Sequence, residues 1–184
     1  MAVSSPTTPL HSPLPDTALP DLDGAQVDLA DYAAGRPLLV VFACNHCPYV
    51  RHVEAAFGEL VSGYEPNSLA VVAVSPNDVS RYPDDDIPRL REQAERAQWR
   101  FPYLVDTEQT AAKAFGAVCT PDFFLYDSAL RLAYRGAFDA STPGNGQPLT
   151  GDDLRAALDA VLAGQPAPQP QRPAMGCSIK WKGE

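Results

Sequence analysis

Pro37-Leu-Leu-Val-Val-Phe-Ala-Cys44-Asn-His-Cys47-Pro-Tyr49 decides how this chain is read. Its first seven residues are apolar without alternation, the pattern of a central strand covered on both faces. Pro48 can open a helix, because the N–H it lacks falls where no intrahelical partner exists. Beyond it Val50, Val53, Phe57, Leu60 and Val61 recur every three or four residues, the apolar stripe of a helix from Tyr49 to about Tyr64. The Cys-x-x-Cys pair therefore sits between a buried strand and a helix N-terminus, where backbone N–H groups and the helix dipole stabilise a thiolate.

That placement favours redox exchange by Cys44 and Cys47 over structural metal ligation or inert burial. Cys44 precedes the helix and is expected to be the more exposed thiol and the nucleophile, with Cys47 resolving a mixed disulfide. His46, between them, is expected to lower the thiol pKa when protonated; the alternative is a solvent-facing imidazole of slight influence. His11 and His52, with Cys119 or Cys177, supply zinc-ligand types, but no second close ligand pair accompanies them and no metal is expected. Arg51 and Glu54, three apart on the helix, read as a modest surface pair.

Outward from this centre the elements alternate. Ser68 to Ser75 is a second buried strand, broken by Pro76-Asn77 and brought beside the first by a right-handed crossover. Asp84-Asp-Asp86 precedes Ile87, Leu90, Ala94, Ala97 and Trp99, a helix whose acidic start reads as a cap and solvated face rather than a metal site. Tyr103 to Val105 is a short strand and Glu108 to Phe115 a short helix ended by Gly116. Phe123 to Tyr126 and Leu132 to Tyr134 flank a turn and form an antiparallel hairpin. Asp152 to Leu162 is a closing helix with Leu154, Leu158, Val161 and Leu162 on its apolar side. Before the central strand, Asp21-Leu-Asp-Gly24 marks a hairpin turn, and Leu29 and Tyr32 a short helical turn.

The 184 residues suit one domain with a substantial core, read over residues 17–163. Nineteen prolines crowd toward the ends, so 1–16 is expected to be a flexible arm and 164–184 a proline-rich tail, extended or mobile to about residue 174. Fourteen Lys plus Arg against 23 Asp plus Glu give a net charge of −9, which argues against nucleic acid as a partner. No apolar run is long enough to span a membrane, and the first residues lack the pattern of a secretory signal, so the expected location is the cytoplasm. Four cysteines are too few for a disulfide-dense scaffold. No serine-histidine-aspartate system or glycine-rich phosphate loop competes with the thiols.

Two further stretches bear on the chemistry. Thr120-Pro121 stands before a strand, where a cis proline would expose backbone groups to an extended peptide; the alternative is an ordinary trans bond. Cys119 beside it is an auxiliary redox thiol or a packed apolar side chain. Cys177, in Gly176-Cys-Ser-Ile-Lys-Trp-Lys182, is a third redox thiol delivered by the tail, or else Ile179 and Trp181 are docking anchors.

Taken together, Leu22-Asp-Gly24, Phe42-Ala-Cys-Asn-His-Cys-Pro-Tyr49, Cys119-Thr-Pro-Asp-Phe-Phe124 and the Gly176–Lys182 segment resemble the thioredoxin-like superfamily. Within it they are similar to the peroxiredoxin-like, AhpC/TSA-related group that carries a thioredoxin-type Cys-x-x-Cys. The resemblance implies an α/β fold with a mixed central sheet flanked by helices, a Cys44/Cys47 redox centre, and Pro121 as a cis proline bordering the substrate groove with Thr120. Asn45 and His46 replace the usual glycine and proline of thioredoxins and stand closer to histidine-containing oxidising or isomerising relatives. The peroxiredoxin signature is incomplete, with Val40 in place of its proline and Cys44 in place of its hydroxyl residue, although Cys47 matches the peroxide-reactive position.

The expected function is thiol-disulfide exchange on protein or low-molecular-weight thiols, with no bound cofactor and a separate electron donor or acceptor closing the cycle. A thiol peroxidase, with Cys47 oxidised to a sulfenic acid that Cys44 resolves, and a noncatalytic peptide-binding adaptor are the alternatives.

Overall fold

A computed structural model describes residues 1–183. The order along the chain is β1 (Ala2–Ser4), β2 (Ala18–Pro20), β3 (Gln26–Asp28), α1 (Leu29–Ala33), β4 (Leu38–Phe42), α2 (Pro48–Ser62), β5 (Ala70–Ser75), a 3-10 turn at Pro83–Asp85, and α3 (Ile87–Arg96). It continues with β6 (Tyr103–Val105), α4 (Thr110–Phe115), β7 (Cys119–Thr120), β8 (Asp122–Tyr126), β9 (Leu132–Gly136), α5 (Asp152–Leu162) and β10 (Met175–Ser178).

The central sheet runs β6-β5-β4-β8-β9, with β4 parallel to β5 and antiparallel to β8. The apolar run of β4 is explained by its position: Leu39 and Val41 pack toward α2, α3 and α5, while Leu38, Val40 and Phe42 pack toward α1 and α4. Both faces of the strand are core, so no polar position is tolerated along it. The result is an α/β thioredoxin-like architecture, a mixed sheet with helices on both sides.

The leading hairpin β2–β3 forms as read, its turn held by Asp21 Oδ1, which accepts from the N–H groups of Asp23 and Ala25 at 2.8 and 2.9 Å. The helix expected after the triple aspartate starts at Ile87, as read. Asp86 is its N-cap, accepting from Arg89 N–H at 3.0 Å, and the chain before it coils into the 3-10 turn. That 3-10 turn matters because it turns Asp85 inward to zero exposure, where a solvated acidic face was expected.

The chain ends are extended, as their prolines imply, but both are docked. The N-terminal stretch pairs β1 with β10, and Leu14 N–H donates to Leu130 O at 2.9 Å. The tail runs along β9, where Ala137 N–H donates to Arg172 O at 2.9 Å, and then returns as β10 between β1 and β7. Proline removes donors but leaves carbonyls free to accept, so a proline-rich segment can be held by its neighbours' N–H groups.

Candidate functional site

The site lies where β4 ends, α2 begins and β7 passes beside them. Cys44 leaves the strand and Cys47 is the N-cap of α2, with Pro48 in the first turn. Both cysteines converge on one residue: Cys44 Sγ lies 3.3 Å from Thr120 Oγ1, and the Cys47 thiol donates to Thr120 O at 3.2 Å. The Thr120-Pro121 bond is cis.

Cys44 is not the exposed member of the pair; both cysteines have zero exposure. Nor is it the more acidic. Burial, donation to Cys47 and the charge of Asp85 push the Cys44 thiol well above its ordinary range. The same donation lowers Cys47 to about 5 despite its burial, helped by the Cys177 thiol and by the backbone N–H groups of Val50 and Cys177. The acidity of the pair thus runs opposite to the expected order of attack, with the Cys44 thiol as the largest cause and the N–H donors of the helix start and of Cys177 adding to it.

His46 Nδ1 lies 2.6 Å from Asp85 Oδ2, and that bond raises the imidazole pKa. The ring also stacks on Tyr82. Asp85 is the residue the sequence reading missed. Its Oδ1 accepts from the N–H groups of Asn45 and His46 at 2.8 and 3.0 Å, and its Oδ2 also takes the Asn77 amide at 2.8 Å. Burial alone would raise this carboxyl, but the bonds from His46 and Asn77 outweigh it and hold Asp85 below the usual carboxylate range.

A second set of polar groups braces the loop from outside. Glu54 is buried, not a surface partner of Arg51; it accepts from Arg96 Nε at 2.7 Å and from Gln93 Nε2 at 3.2 Å. Gln93 also donates to Cys44 O at 3.2 Å, and Arg51 Nε donates to Asn45 O at 2.8 Å. Glu54 and Gln93 fall on the inner side of their helices, and only the fold reveals that they meet.

Cys44, His46 and Asp85 bring ligand-type atoms within 4.8 Å of one another, but His46 and Asp85 are already bonded together. The zinc set considered from sequence does not assemble: His52 bonds Ser141 Oγ at 2.8 Å and His11 lies exposed on the N-terminal segment. Cys119 is buried, and burial beside Asp122 pushes its thiol far up. Pro121 borders a groove of about 330 Å³ shared with Tyr49, His52, Phe138 and Met175. The backbone edge of β7 itself is taken by the chain's own β10.

The model of the AhpC/TSA family matches residues 10–135. The chain belongs to the AhpC/TSA family. This AhpC/TSA protein is similar along its whole length to an uncharacterized conserved protein from Geobacillus kaustophilus, with 44% identity, a TM-score of 0.95, and coverage of 100% of this chain and 98% of that one. A hypothetical protein from Sinorhizobium meliloti 1021 gives 42% identity and a TM-score of 0.94 over 98% and 99% of the two chains. The fold is shared more distantly with a putative thiol:disulfide interchange protein DsbE from Chlorobium tepidum, at 18% identity and a TM-score of 0.67 over 85% and 99%. No curated protein matches the sequence of this family member. Among the described residues no helix is long and apolar enough to cross a membrane.

Proposed function

We propose that this protein is a thiol-disulfide oxidoreductase whose Cys44 and Cys47 cycle between dithiol and disulfide. The observation that carries the reading is the convergence of both thiols on Thr120, with one acidic and one basic sulfur at a helix start. The Cys47 thiolate attacks a substrate disulfide, forming a mixed disulfide and releasing the first substrate thiolate, which takes a proton. Cys44 then loses its proton and attacks Cys47 Sγ, so that the Cys44–Cys47 disulfide forms and the second substrate thiolate leaves. Asp85, whose carboxylate oxygen lies within 4.8 Å of Cys44 Sγ, opposes early loss of the Cys44 proton through its charge, so that Cys44 waits as a thiol until the mixed disulfide has formed. Substrates are protein or low-molecular-weight disulfides, and a separate thiol donor returns the protein to the dithiol.

A second reading has support from the inverted acidity. Cys47 is the thiolate and the protein is an AhpC/TSA member, so peroxide is also an admissible electrophile. In that cycle Cys47 attacks a peroxide oxygen, becomes a sulfenic acid as the alcohol or water leaves, and condenses with Cys44 to release water. A glutathione redox titration with thiol trapping and cysteine-resolved mass spectrometry tests the first reading, which requires a reversible Cys44–Cys47 couple. Stopped-flow oxidation by peroxide tests the second, which is lost if Cys47 reacts no faster than a simple thiol.

A further inference from the structure

Gly176 is the point at which the tail touches the active-site backbone. A Cβ built on it would lie 1.9 Å from Thr120 O and 2.5 Å from Thr120 C, so no other residue lets β10 lie this close to β7. That approach places Cys177 opposite Thr120 in the antiparallel register, on the residue whose carbonyl accepts from Cys47. Cys177 packs against the core cluster that contains Cys47, and its thiol and N–H both help to lower the Cys47 pKa. Of the four cysteines, only Cys177 is not buried.

We propose that Cys177 is a third redox thiol, which forms a disulfide with Cys47 and carries exchange between the buried Cys44–Cys47 pair and thiols in solution. The inference deepens the oxidoreductase reading and rests on it for its purpose. The problem it answers is access, since neither active cysteine has any exposed surface and β10 itself covers Cys47.

The step balances without any further reagent. Cys177 loses its proton to solvent and attacks Cys47 Sγ of the Cys44–Cys47 disulfide. The Cys47–Cys177 bond forms, the Cys44–Cys47 bond breaks, and Cys44 leaves as a thiolate that takes up a proton. An external thiol can then attack the accessible Cys177 sulfur, releasing the Cys47 thiolate and forming a mixed disulfide with Cys177; a second external thiol attacks the external sulfur of that bond, the two leave joined as a disulfide, and Cys177 departs as a thiolate that takes up a proton. In the reduced protein Cys177 is held up at about 11 by burial, by donation to Cys47 and by the Cys47 charge. Once Cys47 is in a disulfide the last two causes vanish, while Lys180 and the N-terminal ammonium still favour the Cys177 thiolate. Cys177 is thus activated when the pair is oxidised, which is when an internal thiol is useful.

The test uses the full chain carrying Cys44→Ser, treated with one equivalent of glutathione disulfide, quenched by acid and alkylation, and mapped by mass spectrometry. Oxidation of Cys47 and Cys177 reduces the glutathione disulfide to two thiols. The expected product is an intramolecular Cys47–Cys177 disulfide in most chains, with Cys119 left as the free thiol. Cys47 recovered free or as a glutathione adduct beside an unlinked Cys177, or Cys177 joined to Cys119, would overturn the proposal. If C44S does not fold, the wild-type protein under limiting oxidant carries the test. A Cys47–Cys177 peptide at early times supports the proposal, and Cys44–Cys47 as the sole disulfide at all times overturns it. The last outcome leaves the oxidoreductase reading standing, whereas wild-type protein with no Cys44–Cys47 couple removes that reading independently.

Discussion

At the scale of single residues, the site is governed by which group holds charge. Cys47 owes its low pKa first to the Cys44 thiol and only then to the tail and helix donors. The thiolate absorbance near 240 nm is therefore expected to titrate at about 5, with reactivity lost as pH falls through that value. Cys44→Ala removes the largest stabilising donor and should move the transition up; a midpoint unchanged by this variant would show that the helix start alone sets the acidity. Asp85 makes a second case. His46 has a raised folded pKa, so its bond to Asp85 contributes stability fully present below about 6.5 and lost as pH rises through the folded value. In Asp85→Asn the charge is gone, the His46 pKa should drop on NMR titration, and the loss of stability as pH rises through the folded value should disappear. Asp85→Ala is expected to cost about 3 kcal/mol in denaturant unfolding, since it strands two backbone N–H groups and the Asn77 amide. None of this was readable from Asp84-Asp-Asp86, because three like residues before a helix have the same pattern. Only the 3-10 turn, which sets one outward, one inward and one on the cap, tells them apart.

At the scale of elements, what the sequence declared were those whose partners are local or whose burial is uniform. The β4 strand, the α2 stripe, the β8–β9 hairpin and α5 all carry their signal within their own residues, and α5 spans Asp152–Leu162 as its apolar positions require. The β7–β10 pair carried no such signal, for β7 is two residues long and its partner lies more than fifty residues away. Gly176 was legible only as a letter in a tail motif; its meaning is the 1.9 Å approach to Thr120 O. Gly176→Ala should force β10 off β7 while leaving the central sheet intact. The expected outcome is faster alkylation of Cys47 by iodoacetamide with little change in far-UV circular dichroism. Alkylation at the wild-type rate would mean that β10 does not seal the thiol.

At the scale of the whole molecule, the two chain ends are one structure. β1 has β10 as its strand partner, and beyond the ladder Ser178 N–H donates to Met1 O at 3.0 Å, Ser5 N–H to Ala174 O at 2.8 Å, and Ala174 N–H to Ser5 Oγ at 3.0 Å. On its other side β10 is held by the two-residue β7 and, past Ser178, by Ile179 packed into the core beside α4 and by Lys180 N–H on Asn77 Oδ1 at 2.9 Å. Removing residues 1–5 therefore strips the outer edge of the strand that covers Cys47, takes Ser4 from the rim of the groove beside Pro121, and leaves the central sheet and the Cys44–Cys47 loop in place. Hydrogen bonds of this kind contribute about 1 kcal/mol each or less. Losing the set should favour opening of β10 by about 2 kcal/mol, roughly thirtyfold in the open population. If opening gates access, alkylation of Cys47 in the shortened chain rises by about that factor, and the denaturant midpoint of the central domain shifts far less. An unchanged alkylation rate with β10 detached, seen as new protease cleavage after Arg172, would place the entry to Cys47 elsewhere, at the groove beside Pro121. The N-terminus would then brace the tail without controlling the thiol.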